Sequence, residues 1–219
     1  MIDAVAGTTP LASGRDADVY ALGSGRVLRR YRRGGDVRAE AEVMVHLREM
    51  GYPVPLVHRA DGPDLELQRL AGPTLLDALV AGDVAVDGAA LMMADLHRRL
   101  HALPARRSAD PGHRILHLDL HPANVMLTPD GPVVIDWRNT DEGPPPLDLA
   151  TTALIAAEVA ADPTEPLAHP AHDFLAAFLI EAGPVGSLDR AVELRAHAGP
   201  DAGARSARAT ALIRALEPQ

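Results

Sequence analysis

The sequence predicts an α+β fold, in which a small antiparallel sheet with one helix is followed by a mainly helical region. Before Gly72, short runs of strand-forming residues separated by turns give the order β-β-α-β-β. After Pro73, longer segments with apolar residues at helical spacing dominate. We therefore expect two lobes, residues 1–70 and residues 71–219, that are joined near residues 68–72.

Four strands and one helix are expected in the N-terminal lobe. The first two strands flank Gly23-Ser24-Gly25, which is typical of a β-hairpin. Apolar residues recur at helical spacing over residues 37–47, so a helix is expected there, with Asp36 as its N-cap and Gly51 after its end. The strands are expected at residues 19–22, 26–31, 54–57 and 65–70.

The C-terminal lobe is expected to contain six helices and one short hairpin. The hairpin follows from two brief apolar runs, 125–127 and 133–135, on either side of the turn Pro129-Asp130-Gly131. Each helix is a segment with helical spacing that is bounded by glycine, proline or polar residues. The helices are expected at residues 75–81, 89–103, 147–161, 172–182, 188–198 and 204–216.

The composition of the 219-residue chain argues against several classes of function. Apolar residues make up 47%, which is typical of a globular protein. The absence of cysteine excludes a disulfide scaffold, a thiolate metal site and a cysteine nucleophile. The net charge of −9 argues against nucleic-acid binding, which requires a basic surface. There is no signal-peptide pattern and no apolar run long enough for a bilayer, so we expect a cytoplasmic protein without membrane contacts.

All 21 basic residues are arginines, so the chain contains no lysine. A Walker A phosphate loop and a Schiff-base lysine are therefore excluded. A phosphate contact that another protein makes with lysine is therefore either made here by arginine, which binds phosphate with a larger, planar group, or missing.

The strongest chemical signal is the segment His117-Leu118-Asp119-Leu120-His121-Pro122-Ala123-Asn124, followed by Ile135-Asp136-Trp137. Phosphoryl transfer requires a carboxylate that orients the acceptor hydroxyl, and oxygen ligands for magnesium on the phosphates. Asp119 and Asn124, on one loop, can supply the carboxylate and one ligand. A short hairpin can return the chain so that Asp136 supplies a second, anionic ligand.

The order H-x-D-x-x-x-x-N followed by I-D-W resembles the catalytic core of the aminoglycoside phosphotransferase and choline kinase-like family, which has the protein-kinase fold. The segments 14–20 (GRDADVY), 27–31 (VLRRY) and 51–55 (GYPVP) are also similar to that family. The resemblance covers roughly residues 10–150. It implies a bilobal protein-kinase-like fold, with a nucleotide-binding N-terminal lobe and a C-terminal lobe for catalysis and substrate binding.

Matched position by position, the resemblance implies Asp119 as the catalytic base and Asn124 and Asp136 as magnesium ligands. Arg29 stands where the family usually has a phosphate-binding lysine, and Glu40 on the first helix would be its ion-pair partner. The remaining nucleotide contacts would be made by Gly14, Val19, Val27, Gln68, Leu70 and Met126.

The resemblance further implies that the phosphoryl group moves from ATP or GTP to a hydroxyl of a small molecule. Family acceptors include aminoglycosides, macrolides, choline, homoserine and sugars, so an aminoglycoside-like or other cationic acceptor is one hypothesis. His117 would brace the catalytic loop, and Asp148 would be a structural carboxylate after the metal loop. The acidic residues that could face a cationic acceptor, or simply be exposed, are Asp141, Glu142, Glu158 and Asp162.

Two other interpretations remain open. A kinase-like module that binds nucleotide without turnover would be consistent with the missing lysine and with a phosphate loop that has only Gly14 at the expected place. A metallohydrolase would follow if His117, Asp119 and His121 lay on one face of an extended strand, since two imidazoles and a carboxylate can bind zinc.

Two isolated features are interpreted more simply. His97 and His101 are four residues apart on a predicted helix, a spacing that can bind a metal ion. No carboxylate of matching geometry is evident near them in the sequence, so both are expected to be solvated. Trp137 is expected to pack in the core.

Overall fold

The computed structural model describes residues 8–14, 16–196 and 202–217. These residues form two compact units. One contains the described residues of Met1–Pro73 together with Met126–Arg138, and the other contains Thr74–Val125 together with the described residues of Asn139–Gln219. The lobe boundary after residue 70 remains a prediction. Among the described residues, no helix combines the length and the apolar character needed to cross a bilayer.

The first unit is built on a five-stranded antiparallel sheet with the strand order β1-β2-β3-β5-β4. The strands are β1 (Ala12–Ser13), β2 (Ala17–Gly23), β3 (Arg26–Tyr31), β4 (Val57–Asp61) and β5 (Asp64–Gln68). The predicted antiparallel sheet is confirmed, but the strand expected at 54–57 begins only at Val57. Proline is the reason: Pro53 and Pro55 have no N–H for the ladder, and the carbonyl of Pro53 instead accepts from the amide of Val134, 2.9 Å away.

Helix α1 (Arg38–Glu49) packs against β4 and buries Met44 and Leu47. The prediction of Asp36 as its N-cap is wrong. The N-cap is Val37, which has a near-helical backbone, and the Asp36 carboxylate accepts from the Arg38 amide at 3.0 Å. The helix end is confirmed, because Gly51 adopts φ +80° and lets the Tyr52 amide bond the Leu47 carbonyl.

The hairpin of β7 (Val125–Thr128) and β8 (Gly131–Val134) is confirmed. Its Leu127 amide donates to the carbonyl of Pro73 at 2.9 Å. Trp137, which follows β8, is completely buried and meets Tyr52 edge to face, with ring centroids 5.7 Å apart. The packing role expected of Trp137 is therefore confirmed.

The second unit is mainly helical, as predicted. Its helices are α2 (Leu75–Ala81), α3 (Val86–His101), α4 (Pro145–Ala160), α5 (Ala168–Ala182), α6 (Leu188–Arg195) and α7 (Ala202–Leu216). The apolar α4 lies against α5, α6 and α7, and α3 lies against α5. Helix α5 starts four residues earlier than expected, and the last two residues of the helix predicted at 188–198 lie outside the described residues.

A two-stranded antiparallel sheet of β6 (Arg114–Leu116) and β9 (Asp141–Gly143) was not predicted. Each strand has only three residues, which is too short for an alternating pattern to stand out. The catalytic loop of the sequence analysis begins at His117, directly after the end of β6.

Gly72 is required by packing as well as by its backbone. It adopts φ +132°, and a Cβ added there would lie 1.9 Å from the Leu127 carbonyl oxygen. We expect Gly72→Ala to destabilise the protein by at least about 3 kcal/mol, because the backbone of the hairpin would have to move. The change would be measured as a loss of thermal midpoint.

Gly62→Ala is the matched control for this change. Gly62 also has a positive φ, +56°, but a Cβ added there would meet no described atom within 4 Å. Its substitution is expected to cost only about 1 kcal/mol. Equal losses of thermal midpoint for the two variants would show that the carbonyl of Leu127 imposes no constraint.

Candidate active site

One face of the first unit's sheet carries three of the predicted nucleotide contacts. Val19 on β2 is paired directly with Arg29 on β3, so their side chains share a face. Val27 lies two residues before Arg29 on the same strand and therefore on the same face. All three side chains are partly exposed. The strand register thus brings Val19, Val27 and Arg29 together.

The guanidinium of Arg29 is bound by two carboxylates. Its Nη1 donates to Glu40 Oε1 at 2.9 Å, and its Nη2 donates to Asp136 Oδ1. Glu40 lies on α1 and also accepts from the Tyr31 hydroxyl at 2.7 Å. The guanidinium groups of Arg29 and Arg138 both lie against the Tyr31 ring, 4.9 and 4.1 Å from its centroid. The predicted Arg29–Glu40 pair is therefore present, and it includes Asp136.

Burial and neighbouring charges shift the pKa values of the groups in this cluster. Burial would lower the pKa of Arg29, but the neighbouring carboxylates of Asp136 and Glu40 outweigh it, and the pKa is raised. Burial raises the pKa of Glu40, and the charge of Arg29 only partly opposes that shift. The pKa of Tyr31 is also raised, first by burial and then by Glu40. Arg29 is therefore a permanent cation that faces two anions.

The other predicted nucleotide contacts lie at separate places. Gly14 follows β1, and its amide donates to the Ala17 carbonyl at 2.9 Å. Its neighbour Arg15, part of the matched segment 14–20, lies outside the described residues. Gln68 ends β5, and its amide donates to the Leu56 carbonyl at 2.8 Å. Leu70 follows that strand, and partly exposed Met126 lies on β7.

The catalytic loop, residues 117–124, belongs to the second unit and lies between β6 and β7 in the chain. Leu118 adopts φ +61°, a left-handed conformation that is unfavourable for a residue with a side chain. A turn of 3-10 helix at Pro122–Asn124 ends the loop. Between them the Asp119 side chain is 27% exposed. The loop therefore exposes the Asp119 carboxylate, and its backbone conformation has to be stabilised by neighbouring residues.

The side chain of Asn124 is fixed in one orientation. Its Nδ2 donates to the Asp119 carbonyl at 2.9 Å and lies 3.3 Å from His121 Nε2. This leaves Asn124 Oδ1 as the group that can face a ligand. In the first unit, Arg29 occupies Oδ1 of Asp136, whose side chain is 38% exposed. Each of these two residues thus has an oxygen of the kind magnesium prefers.

Asp148 supports the catalytic loop from the core. The carboxylate is fully buried on α4, and it accepts the amide of Leu118 at 2.7 Å and the amide of His117 at 3.1 Å. His101 Nε2 lies 3.0 Å from the same carboxylate. Burial would raise the pKa of Asp148, but His101 and His97 together outweigh it and hold the pKa well below its usual range. The structure thus places the predicted structural carboxylate directly under the loop.

Arg195 on α6 is a site residue that the sequence analysis missed. Its Nη1 lies 3.7 Å from Asp119 Oδ1, and its Nη2 bonds Glu158 Oε2 at 3.0 Å. Asn139 Nδ2 approaches the other Asp119 oxygen at 3.4 Å. No motif surrounds Arg195 in the sequence, and it is the packing of α6 on α4 that brings it to Asp119.

The four acidic residues considered for a cationic acceptor have partners within the second unit. Glu142 caps the backbone amides of residues 106–108, which lower its pKa against the opposing effect of burial. Exposed Asp141 pairs with Arg107, and Asp162 bonds Thr164. Glu158 is the one that reaches the neighbourhood of Asp119, through Arg195.

The expectation that two histidines of α3 are solvated is wrong. His97 and His101 are not solvated: the side chain of His97 is 1% exposed, that of His101 is 10% exposed, and both lie beside Asp148. The carboxylate was missed because it comes from another helix.

The metallohydrolase geometry is not present either. His117, Asp119 and His121 do not lie on a strand, because the left-handed Leu118 breaks the alternation. His117 is instead buried, and its Nδ1 accepts the Asp119 amide at 3.2 Å, so the ring braces the loop.

Asp148 is expected to give the protein stability that is lost in acid. Because its folded-state pKa is depressed, the contribution is present above the unfolded pKa of about 3.9 and disappears as the pH falls towards the folded value. We expect Asp148→Ala to lower the free energy of unfolding by about 3–5 kcal/mol at pH 7, since the loop amides lose a buried acceptor. The loss should be clearly smaller at pH 3.

Urea titrations at the two pH values would measure this difference. Asp95→Ala is the control, because Asp95 is an exposed residue of α3 that pairs with the equally exposed Arg98 at 3.5 Å. A loss for Asp148→Ala that is equal at pH 7 and pH 3 would show that the carboxylate is not ionised in the folded protein.

The sequence matches one family model, described as the phosphotransferase enzyme family, over residues 7–115 and 58–191. No curated protein matches the sequence. Among solved structures, an aminoglycoside-3'-phosphotransferase of type VIII shares 22% identity with a TM-score of 0.53, and the match covers 95% of this chain and 91% of that one.

Two further structures are similar. Amicoumacin kinase hAmiN in complex with AMP-PNP, Ca2+ and Ami has 12% identity and a TM-score of 0.57, with coverage of 95% and 87%. A choline/ethanolamine kinase family protein from Mesorhizobium loti has 15% identity and a TM-score of 0.56, with coverage of 98% and 90%. These identities establish the fold, which is the predicted bilobal protein-kinase-like one. Because the family model spans most of the chain, the protein belongs to the phosphotransferase enzyme family.

Proposed function

We propose that the protein transfers the γ-phosphoryl group of ATP or GTP to a hydroxyl group of a small molecule, with Asp119 as the base. One observation carries the proposal. Asp119 is a partly exposed carboxylate on a loop whose backbone is fixed from the core by Asp148 and whose own carbonyl is held by Asn124. Such a fixed carboxylate is what a hydroxyl needs to be oriented for in-line attack.

The reaction assigns a simple task to Asp119. The acceptor oxygen forms a bond to the γ-phosphorus, the bond from that phosphorus to the β,γ-bridging oxygen breaks, and the nucleoside diphosphate leaves. Asp119 accepts the hydrogen bond of the attacking hydroxyl and takes up its proton as the new bond forms. Asn139 and Arg195, which approach the two oxygens of Asp119, keep the carboxylate oriented.

Two residues, one in each unit, have an oxygen of the kind that magnesium prefers. Asn124 has its amide nitrogen engaged, so its oxygen is directed elsewhere, and Asp136 has one carboxylate oxygen beyond the one that Arg29 occupies. We propose Asn124 and Asp136 as the residues that hold magnesium. When bound, the ion neutralises charge on the phosphates.

The nucleotide would be bound by the face of the sheet that carries Val19, Val27 and Arg29. The two valines offer an apolar surface to a base, and Arg29 offers a cation to the phosphates. Gly14, Gln68, Leu70 and Met126 remain predicted contacts. The complex of amicoumacin kinase hAmiN with AMP-PNP and Ca2+ supports a nucleotide and a divalent cation in this fold.

The acceptor is proposed to be a small hydroxylated molecule. Relatives in fold include proteins described as aminoglycoside, amicoumacin and choline/ethanolamine kinases, which supports that class. A cationic acceptor remains one hypothesis within this class. However, Glu158, the acidic residue that Arg195 links to Asp119, is already paired with that arginine. The absence of nucleic-acid and membrane partners and a cytoplasmic location also remain predictions.

A nucleotide-binding module without turnover is the second candidate function. The observation that favours it is the bond from Arg29 to Asp136, because a metal ligand occupied by an arginine is less available to magnesium. In this case nucleotide would bind with little dependence on magnesium, and no acceptor would be phosphorylated.

Substitution of the base separates the two candidates. We expect Asp119→Asn to lower turnover at least a hundredfold while ATP and GTP still bind, because the amide cannot take up a proton. Nucleotide binding would be measured by calorimetry with and without magnesium. Turnover would be followed by release of nucleoside diphosphate with aminoglycoside, choline, homoserine and sugar acceptors.

Asp95→Asn is the control, because it removes a charge on the exposed face of α3. The kinase is supported if nucleotide binding depends on magnesium and if turnover is retained in Asp95→Asn but lost in Asp119→Asn. Unchanged turnover in Asp119→Asn would overturn the assignment of the base.

Arg29 is expected to replace the usual lysine in function. Arg29→Met should raise the nucleotide dissociation constant at least tenfold, because two carboxylates would then face the phosphates without a cation. Arg29→Lys should restore most of the affinity, since an ammonium can still pair with Glu40. Calorimetry on the three proteins measures the effect.

Arg30→Met is the matched control for this series. Arg30 is the next residue on β3, points to the opposite face and is bound by Asp64 at 2.7 Å. Its substitution should leave nucleotide affinity unchanged. Equal affinities for Arg29→Met and Arg30→Met would show that Arg29 does not contact the phosphates.

A further inference from the structure

Two helices behind the catalytic loop meet through matched pairs of polar side chains. Helix α3 contributes His97 and His101, and helix α4 contributes Asp148 and Thr152, each pair four residues apart and thus on one face. His101 bonds Asp148 at 3.0 Å, and His97 Nε2 lies 2.9 Å from Thr152 Oγ1. His97, Asp148 and Thr152 are each no more than 1% exposed.

The direction of the hydrogen bonds around Thr152 follows from a proton count. The Thr152 hydroxyl lies 2.7 Å from the carbonyl oxygen of Leu120, which can only accept. The single hydroxyl proton must therefore lie on that bond. Thr152 Oγ1 can then only accept from His97, so the Nε2 of His97 carries a proton. The bonds run in one direction, from His97 to Thr152 to Leu120.

The other nitrogen of His97, Nδ1, lies near Asp148. Within the described part of the chain its Nδ1 has no hydrogen-bond partner, and it lies 3.5 Å from Asp148 Oδ2. Burial lowers the pKa of His97, which favours the neutral ring, and the nearby Asp148 opposes that shift. The ring is held in place by His101 and Phe178, at centroid distances of 5.4 and 5.9 Å.

A metal ion is the other way to use these groups, since His97, His101 and Asp148 offer ligand atoms within 4.8 Å of one another. The hydrogen bonds argue against it. His101 would have to give up the proton that it donates to Asp148, and the carboxylate already accepts the amides of His117 and Leu118. Three ligands converge here among the described residues, whereas structural zinc takes four.

We infer that His97 is a positioning residue for phosphoryl transfer, because through Thr152 it fixes the carbonyl of Leu120, the residue that follows the base. Asp148 holds the amides on the N-terminal side of Asp119, and the His97–Thr152 relay holds the carbonyl on its C-terminal side. Asp119 is thereby held from both sides by the same helix, α4. This inference rests on the proposed role of Asp119 as the base.

Thr152→Val and His97→Phe test the relay, because each keeps the bulk of the side chain and removes its hydrogen bond. We expect each to lower kcat at least tenfold, with the nucleotide dissociation constant unchanged. The double variant should be no slower than the worse single one, since both break one chain of bonds. Thr152→Ser and His97→Gln restore a hydroxyl and an N–H donor, and should recover much of the lost rate.

Thr151→Val is the matched control. Thr151 is also 1% exposed on α4, but its hydroxyl donates to the Leu147 carbonyl of its own helix, at 2.8 Å. Its kcat should equal that of the unmodified protein. If Thr151→Val loses as much rate as Thr152→Val, or if Thr152→Val keeps full rate, the positioning role is overturned.

Nitrogen NMR of the full chain labelled in its histidines tests the relay without any turnover. His97 should show a proton on Nε2, and Thr152→Val should increase hydrogen exchange of the catalytic-loop amides. An Nε2 without a proton, or one equivalent of zinc in the purified protein, would overturn the inference. These measurements stand even if no acceptor is phosphorylated, in which case only the proposed function fails.

Discussion

The catalytic loop depends on one constraint, which is that an ionised carboxylate in a helical core must be surrounded by donors. Asp148 is fully buried, and its donors are the amides of His117 and Leu118 and the ring of His101. Moving the loop would leave a buried charge unpaired, which is far more costly than the left-handed backbone of Leu118. The position of the partly exposed Asp119 carboxylate is therefore set in the core.

A related constraint shapes the first unit. The Arg29 guanidinium is largely buried and pairs with both Glu40 and Asp136, and the Arg138 guanidinium lies against the same Tyr31 ring. Phosphates are anions, and the two carboxylates would repel them. A divalent cation would offset that repulsion, which gives a physical reason to expect magnesium with the nucleotide. Arginine suits this position because its fork can donate to two carboxylates at once.

The fold was largely predictable from the sequence, because the relevant signals are local. Glycine turns and helical spacing identified the sheet and the helices, and the spacing of Asp119, Asn124 and Asp136 identified the family. Predictions failed where a contact joins distant segments. The strands β6 and β9 are defined by each other, Arg195 acquires its role only through the packing of α6, and the carboxylate beside His97 comes from another helix. Single-residue periodicity contains none of these pairings.

The spacing of Asp148 and Thr152 has a consequence for how the chain can change in length. Successive residues of a helix are rotated by about 100°, so residues four apart project in nearly the same direction. One residue inserted between Asp148 and Thr152 would swing one of the two side chains away from the catalytic loop. The long connection between α3 and β6 is not helical, so a residue inserted there does not rotate Asp148 and Thr152 relative to each other. Insertions and deletions accumulated over evolution should therefore be found in that connection and be absent from the first two turns of α4.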